Sequence, residues 1–497
     1  MSDSSAKHIL AIDQSTSATK AVLFDTAGAV VDKASREHRQ IYPQPGWVEH
    51  DAEEIWQNTL AVLKELSSRQ HDKVANAAGL AIANQRETFV VFERGTGRPL
   101  ANAIVWQCRR GDTICRELAA AGAGAVIQRK TGLKLDTYFS GSKLKWLIGE
   151  RSDLREKLAT GDALVGTIDT YLIYRLTGGK VFATDSTNAS RTLLYDIGEL
   201  RWDAELCDYF HVPPKSLAEV RESFAGFGET DANGTLPRKL PIGGVMGDSQ
   251  ASLFAQRCHH PGTAKVTFGS GTSIMLNVGN TYGATHTNIV SALAWVGHGR
   301  PTYALEGLIN YSSATISWLK DQLGLIQDAA ETDALARAVD DNGGVYLVPA
   351  FAGLSAPYWN PAARAAIVGM TAHSRREHVV RAALEAIAYQ IRDVLEMMHA
   401  EAGVAPQVLH ADGGPTRNEF LMQFTADVTG VDIVVSEVPE SSALGAAMVG
   451  MLGLGLVKAV SDFAETSRVT RTYRPQMDRE RADELYAGWL AAVKRVL

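Results

Sequence analysis

Cysteine is scarce in this chain, and the motifs that cysteine would form are absent. The sequence has four cysteines in 497 residues, with no C-x-x-C pair and no Cys/His cluster at the spacing of a zinc site. This excludes a small protein held together by disulfides and favours a reducing compartment. The N-terminal segment also lacks the apolar core of a signal peptide. We therefore expect a cytoplasmic protein.

An excess of positive charge and a long apolar run are both missing. The formal net charge is -7, so the composition gives no indication of nucleic-acid binding. The longest run of small apolar residues, 443–457, is interrupted by glycines and is shorter than the ~18–20 residues that span a bilayer. This run predicts a buried helix, and we expect no membrane insertion.

The two most familiar nucleotide-binding motifs are absent as well. No segment matches the Walker A pattern G-x-x-x-x-G-K-[ST], and no G-x-G-x-x-G follows a strand-like stretch. A nucleotide enzyme with this sequence would therefore belong to neither the P-loop nor the Rossmann class.

Two segments that are present share one unusual pattern. Residues 9–25 and 265–279 each have an apolar run, a cluster of small residues drawn from Ser, Thr and Gly, and a second apolar run. This pattern predicts a β-hairpin, and the free N–H groups of its turn can bind phosphate oxygens. Because the two copies lie about half a chain apart, they predict two related domains that face one nucleotide.

The chain length and the order of the predicted elements indicate the fold class. A chain of 497 residues exceeds the roughly 250–300 residues at which a single core stops growing. Strand-like and helix-like segments alternate in both halves, which predicts an α/β protein. We place the two domains at residues 1–255 and 256–497, with the ligand cleft between them.

The spacing of apolar residues predicts two long helices. One covers residues 51–66 and the other covers residues 375–402. A capping box of Ser374 and Glu377 is expected to start the longer helix, and Gly403 is expected to end it.

The turn of the first hairpin carries candidates for a phosphate site. Asp13 ends the first apolar run, and its carboxylate would repel a phosphate unless a cation lay between them, for which Mg²⁺ is the usual choice. Thr16, Ser17 and Lys20 follow and are candidates to contact phosphate oxygens. The alternative is that Asp13 is an ordinary turn residue.

A second acidic candidate follows a glycine-rich strand. Asp248 lies at a predicted strand-to-helix junction, where a carboxylate can accept a proton from a substrate hydroxyl. The alternative is a simple N-cap. The same stretch half-matches the nucleophile elbow G-x-S-x-G, with Ala251 at the position of the last glycine. Ser249 is therefore the alternative nucleophile of a serine hydrolase. It would need a histidine partner, for which His259, His260 and His410 are the candidates.

Charged and aromatic residues complete the candidates in the first half. Arg86 and Glu87 can bind vicinal hydroxyls together, with the arginine donating and the glutamate accepting hydrogen bonds. The alternative is a solvated ion pair at the end of a strand. Trp106 belongs by default to the core, although its indole can also form the apolar wall of a substrate pocket.

Several longer segments resemble one protein family. The resemblance runs from about residue 8 to about residue 475, which is nearly the whole chain. Its matching segments are YPQPGWVEHD at 42–51, NQRET at 84–88, NAIVWQCRR at 102–110, YFSGSK at 138–143, TNASRT at 187–192 and GLSAPYWNP at 353–361. Together they resemble the FGGY family of carbohydrate kinases, and most closely its glycerol kinases. This set of segments is far more specific than any single motif.

The resemblance implies an actin-like, ribonuclease-H-like fold in both domains, with ATP and Mg²⁺ in the cleft. It also implies roles for residues at matching positions, with Asp13 at the Mg²⁺ site and Asp248 as the catalytic base. The implied ATP site consists of Thr16, Ser17, Lys20, Ser270, Ser313, Ser317, Gly414 and Asn418. The implied polyol site consists of Arg86, Glu87, Trp106, Tyr138, Asp248, Ser249 and Ser273.

Some positions depart from the pattern of the family. Its glycerol kinases usually have Gln directly after the catalytic Asp and Phe in the second hairpin, where this chain has Ser249 and Ser273. Both replacements enlarge the implied pocket, and one makes it more polar, which favours a longer or more hydroxylated acceptor. Ser313 and Ser317 likewise replace Gly and Gln beside the nucleotide.

These observations predict an ATP-dependent kinase that acts on a terminal hydroxyl of a small polyol. Glycerol is the leading acceptor and sn-glycerol 3-phosphate its product, with a tetritol, a pentitol or a pentulose as the alternative. A non-catalytic actin-like ATP switch would keep the hairpins, but it would have no need of the implied polyol site. Because members of the family are often dimers or tetramers, we expect a homodimer or a homotetramer.

Overall fold

Two mixed β-sheets, one in each half of the chain, form the framework of the protein. The computed structural model describes residues 8–283, 289–354, 356–360, 362–438, 440–463 and 468–497. The strands of the first half are β1 (His8–Gln14), β2 (Ala18–Asp25), β3 (Val30–Glu37), β4 (Glu49–His50), β5 (Leu80–Asn84), β6 (Phe89–Glu93), β7 (Ala103–Ile104), β8 (Ala163–Thr167), β9 (Ala183–Asp185), β10 (Tyr195–Asp196), β11 (Arg201–Trp202), β12 (Glu219–Arg221), β13 (Glu229–Thr230) and β14 (Leu240–Gly247). Its helices are α1 (Ala52–Arg69), α2 (His71–Ala75), α3 (Asp112–Ala120), α4 (Gly124–Thr131), α5 (Ser140–Glu150), α6 (Ser152–Thr160), α7 (Ile168–Leu176), α8 (Ser186–Ala189), α9 (Ala204–Phe210) and α10 (Asp248–Ala255).

The second half repeats this mixture of strands and helices. Its strands are β15 (Thr263–Phe268), β16 (Thr272–Gly279), β17 (Val290–Gly297), β18 (Arg300–Ile309), β19 (Tyr346–Val348), β20 (Ala366–Val368), β21 (Val408–Asp412), β22 (Asp432–Glu437) and β23 (Arg468–Tyr473). Its helices are α11 (Ser313–Asp321), α12 (Glu331–Arg337), α13 (Arg376–Ala402), α14 (Glu419–Thr429), α15 (Ser441–Gly453) and α16 (Arg479–Val493). Short 3-10 turns cover Pro214–Ser216, Gly414–Arg417 and Val460–Asp462.

The two main sheets have the same internal topology. The first runs in the order β13-β14-β5-β1-β2-β3, and the second in the order β17-β18-β16-β15-β21-β22-β23. In each, an antiparallel hairpin is extended on one side by an antiparallel strand and on the other by two parallel strands. The repeat expected from the two hairpin segments is therefore confirmed at the level of whole sheets.

The helices predicted from periodicity form, with one correction at a terminus. The apolar stripe of α13 is buried, and Gly403 ends the helix in the left-handed region with a φ of 66°. The predicted capping box of Ser374 and Glu377 is wrong. The N-cap is Arg375, whose backbone N–H donates to Nδ1 of His378 at 3.0 Å, because a histidine at the third helical position reaches back as a glutamate would.

The halves share a buried apolar layer. Side chains from both halves pack together in it, among them Ile9, Ala81, Met246 and Leu253 of the first and Met275, Ala304, Leu444 and Met448 of the second. The small apolar run predicted as a buried helix is α15, which lies in this layer. The boundary proposed after residue 255 falls between α10 and β15 and stays a prediction.

No helix in the described part of the chain is both long enough and apolar enough to cross a membrane.

Candidate active site

The first hairpin places an incompletely bonded carboxylate at its base. Asp13 is the penultimate residue of β1, opposite Lys20 in the hairpin register. Its side chain is buried, and Oδ1 has no hydrogen-bond partner among the described residues. Burial raises the pKa of Asp13 to about 7, although the nearby Lys20 opposes the rise. A hard cation would satisfy this free oxygen, so the position fits the expected Mg²⁺.

The turn that follows is linked to two other parts of the protein. The indole Nε1 of Trp106 donates to Oγ1 of Thr16 at 3.0 Å, and Ser17 is exposed. Nζ of Lys20 lies 2.7 Å from the carboxylate of Glu440, a residue of the second half. In this structure Lys20 therefore bridges the two halves.

The second hairpin turn rests on the start of α11. The carbonyl of Ser270 accepts from the N–H groups of Ser312 and Ala314, at 2.8 and 3.1 Å. Oγ of Ser313 donates to the carbonyl of Gly269 at 2.6 Å. The exposed turn residue Ser270 and the candidate Ser313 are thus held next to each other by backbone contacts.

A cavity of about 550 Å³ opens behind this turn. Four residues of the implied ATP site line this cavity, namely Ser313, Ser317, Gly414 and Asn418. Apolar residues Ile316, Leu384, Ile387 and Leu421 form part of its wall. The side chain of Asn418 caps α14 by accepting from the N–H of Leu421 and also donates to Thr332. Asn418 therefore shapes the cavity rather than projecting a free amide into it.

The candidate polyol residues of the first half form two groups in contact, one charged and one aromatic. Nε of Arg86 lies 3.4 Å from Oδ1 of Asp248, and 3.9 Å from Oε1 of Glu87. The rings of Trp106 and Tyr138 pack with their centroids 5.2 Å apart. Arg86 and Glu87 are both buried, so the alternative of a solvated ion pair is wrong.

Two charged residues that the sequence analysis did not single out complete this cluster. Arg191 donates to Glu87 at 2.6 Å, and Glu306 accepts from Arg86 at 2.8 Å and from Arg191 at 2.7 Å. Burial raises the pKa of Glu306, but the two guanidiniums outweigh it and hold this pKa below its ordinary value. The sequence could have indicated Glu306, because a glutamate within the apolar strand YALEGLI is expected to be buried only with a charged partner.

A third unpredicted residue, Lys143, links the two separate segments that carry Trp106 and Tyr138. Lys143 is fully buried, and its Nζ donates to the carbonyls of Thr137, Tyr138 and Trp106 at 2.7, 3.1 and 3.2 Å. Burial lowers the pKa of Lys143 to about 8. The segment YFSGSK was recognised, but it does not by itself indicate where this lysine points.

The strand-to-helix junction has the predicted form. Asp248 begins α10 directly after β14, and its Oδ1 accepts from the N–H of Ser249 at 2.7 Å. Its side chain is one-third exposed, which leaves it accessible from the cleft. The ring of His259, a possible partner for Ser249, bonds instead to the carbonyl of Phe254 at 2.9 Å. The contact of His259 therefore lends no support to a serine hydrolase with this histidine as the partner.

Three neighbouring strands of the second main sheet carry a row of buried polar atoms without hydrogen-bond partners among the described residues. Ser273 pairs with Thr267 across the second hairpin, and Thr267 pairs with Asp412 on the neighbouring strand. Oγ of Ser273, Oγ1 of Thr267 and Oδ1 of Asp412 are buried without a hydrogen-bond partner among the described residues. Buried polar atoms are normally satisfied, so this row has capacity for ligand or solvent oxygens.

Comparisons with known proteins agree on one family. The N-terminal domain model of the FGGY family of carbohydrate kinases matches residues 8–255, and the C-terminal domain model of the same family matches residues 264–454. Glycerol kinase 1 of Thermotoga maritima is 46% identical over 490 residues, which cover 99% of both chains. Glycerol kinase of Carboxydothermus hydrogenoformans is 46% identical over 489 residues, which cover 98% of both chains.

Solved structures of related proteins have the same fold. Glycerol kinase of Plasmodium falciparum with ADP matches with a TM-score of 0.94 at 35% identity, covering 99% of this chain and 98% of that one. Xylulose kinase from Rhodospirillum rubrum matches with a TM-score of 0.89 at 26% identity, covering 98% of both chains. The similarity therefore extends over both halves and the cleft between them.

Proposed function

This chain belongs to the FGGY family of carbohydrate kinases, and from that premise we propose that it transfers the γ-phosphoryl group of ATP to a terminal hydroxyl of glycerol, forming sn-glycerol 3-phosphate. The two-domain α/β fold expected from the sequence is that of the family. The observation that carries the proposal is the meeting of Arg86, Glu87 and Asp248 in the cleft, together with near full-length similarity to glycerol kinases.

Asp248 is the proposed catalytic base. Its carboxylate is accessible from the cleft and lies beside Arg86, which is itself fixed by other charges. Arg86 would donate to acceptor hydroxyls and Glu87 would accept from them, while Trp106 would cover the carbon chain. With a hydroxyl held in this way, Asp248 would take its proton as the oxygen attacks the phosphorus.

The two hairpins are proposed to hold the phosphates from opposite sides. Thr16 and Ser17 would contribute hydroxyl and backbone N–H groups from the first turn, and Ser270 from the second. Lys20 would exchange its contact with Glu440 for a phosphate oxygen. The cavity lined by Ser313, Ser317, Gly414 and Asn418 would take the adenosine end.

The metal site is proposed at Asp13. Its buried free oxygen suits Mg²⁺, which when bound would neutralise charge on the transferring phosphoryl group. Closure of the halves over the site would exclude water, because water would otherwise compete with the acceptor for the phosphoryl group.

We also propose the cytoplasm as the compartment and a homodimer or homotetramer as the assembly. All four cysteines are free in the structure, which fits a reducing compartment. The assembly rests on the family resemblance alone.

The test of the proposed base is Asp248→Asn. We expect transfer to glycerol to fall by roughly 10²–10⁴-fold, because general base catalysis is lost, while ATP and glycerol still bind. Coupled ADP release measures transfer, and calorimetry measures binding. Asp208→Asn, at an exposed position on α9, is the matched control. Transfer at the wild-type rate by Asp248→Asn would remove Asp248 from this role.

A longer acceptor is the second candidate, favoured by the unpartnered hydroxyls of Ser273 and Thr267. These hydroxyls have capacity to bond a further hydroxyl of a tetritol, a pentitol or a pentulose. The measurement is kcat/KM for glycerol, erythritol, ribitol and xylulose. We expect the highest value for glycerol and, in Ser273→Phe, a larger loss with erythritol than with glycerol, since the ring would fill that space. A large preference of the wild type for a longer acceptor would contradict the assignment of glycerol.

A further inference from the structure

Four buried charges form a closed arrangement beside the candidate base. The two oxygens of Glu306 each accept from one guanidinium, that of Arg86 at 2.8 Å and that of Arg191 at 2.7 Å. Arg191 also donates to Glu87 at 2.6 Å, and Glu87 lies 3.9 Å from Arg86. We call these four residues the charged ring. Their side chains are each at most 5% exposed, so the charges balance one another with little help from water.

Glu306 joins the two arginines of the ring. It bonds both arginines, so its loss would leave two buried guanidiniums facing one ring carboxylate, Glu87. An uncompensated buried charge is strongly unfavourable, and its owner moves toward another partner. For Arg86 the nearest other carboxylate is that of Asp248, already 3.4 Å from its Nε. The loss of Glu306 would therefore disturb the geometry at the acceptor hydroxyl.

The ring is assembled from both halves of the chain. Arg86 and Glu87 follow β5, and Arg191 follows α8, whereas Glu306 lies on β18 in the other main sheet. Glu306 is opposite Met275 in the sheet register, and Met275 packs in the apolar layer between the halves. The contacts of Glu306 with both arginines therefore cross from one half of the chain to the other.

We propose that Glu306 and Arg191 are positioning residues of the acceptor site. Glu306 orients Arg86 across the cleft, and Arg191 orients Glu87 within the first half. This proposal rests on the proposed function, because it takes Arg86 and Glu87 as the groups that bind the acceptor.

The test compares KM for glycerol with KM for ATP in full-length variants. Glu306→Gln keeps the shape of the side chain but removes its charge. We expect the KM for glycerol to rise about tenfold or more, as for the loss of a charge-assisted contact. The KM for ATP should stay within about twofold, because other elements line the nucleotide cavity. Glu306→Asp keeps the charge and should fall between Glu306→Gln and the wild type.

A matched control separates positioning from general destabilisation. Glu385 is also buried and bonded to an arginine, Arg381, at 2.8 Å, but it lies on α13 outside the ring. Glu385→Gln should lower Tm without separating the two KM values. If Glu306→Gln does not fold, Arg191→Lys gives the same comparison, because lysine keeps the charge but loses the two-pronged geometry.

The proposal is overturned if a folded Glu306 or Arg191 variant changes both KM values equally or leaves both unchanged. Failure of the proposed function would be seen separately, as a wild-type protein that does not phosphorylate glycerol. The same KM comparison would then be made with the acceptor that the wild type does use.

Discussion

Lys143 lies fully buried beside the polyol site, and three backbone carbonyls accept from it. A protonated amine has three N–H groups, which match these three acceptors. Two of the carbonyls belong to Trp106 and Tyr138, so this one side chain holds the two aromatic walls in a fixed relation. A single buried cation can do this without a carboxylate partner, because carbonyl dipoles replace part of its hydration.

The pKa of Lys143 leads to a prediction about stability and pH. Burial lowers this pKa from 10.5 to about 8 in the folded protein. Between these values the unfolded chain binds more protons, so the free energy of unfolding rises with pH. We expect Tm of the wild type, relative to Lys143→Met, to increase from pH 7.5 to 9.5. The free energy of unfolding should rise by at most about 1.4 kcal/mol for each pH unit in this window.

Thermal melts of the wild type and of Lys143→Met at several pH values measure the difference in Tm. Groups that titrate alike in both proteins do not contribute to this difference. A difference in Tm that is constant or that shrinks with rising pH would contradict the assignment of a lowered pKa to Lys143.

Among the secondary-structure elements, α15 shows most clearly how close packing requires particular residues, in this case glycines. It belongs to the second half of the chain but packs against β14, β5 and α10 of the first. A Cβ added at Gly445 would lie 1.8 Å from the carbonyl oxygen of Ala251, and one at Gly453 would lie 1.9 Å from that of Gly243. The glycines thus permit backbone-to-backbone contact between the halves.

Alanine substitution at two helical glycines, one closely packed and one open to solvent, tests this packing. Gly445→Ala should lower the free energy of unfolding by about 1–3 kcal/mol, because α15 and α10 must separate to admit the methyl group. Gly149→Ala, in α5, has nothing within 4 Å of the new Cβ. It should raise stability by roughly 0.5–1 kcal/mol through helix propensity. Urea unfolding of both variants measures these changes, and similar values for the two would refute the packing argument.

For the whole molecule, several kinds of contact join the halves around the cleft. The apolar layer contains side chains from both main sheets, and Glu306 crosses to Arg86 and Arg191. Lys20 and Lys33 of the first half both lie within 2.8 Å of Glu440 in the second. These pairs are partly exposed to water, and such ion pairs contribute little to stability. The buried apolar layer is therefore the main contact that holds the halves together.

Much of the local structure was predictable from the sequence. The two hairpins and the buried stripe of α13 form, and the helix predicted at 443–457 forms as Ser441–Gly453. These features were predictable because turns and apolar periodicity depend on residues close together in the chain. The predicted N-cap of α13 is wrong. Ser374 and Glu377 fit the capping-box pattern in the sequence, but the structure uses Arg375 and His378. Which of several adjacent polar residues caps a helix is decided by where the preceding chain enters it.

The sequence by itself determined the family, the repeated hairpins and the candidates that meet in the cleft, because these are carried by residue types at short spacings. Only the tertiary structure decided which buried charges balance one another. Arg86 and Glu306 are separated by 220 positions, and no local pattern pairs them. A buried charge is stable only with its partner in place, and that partner is fixed by how the two sheets face each other.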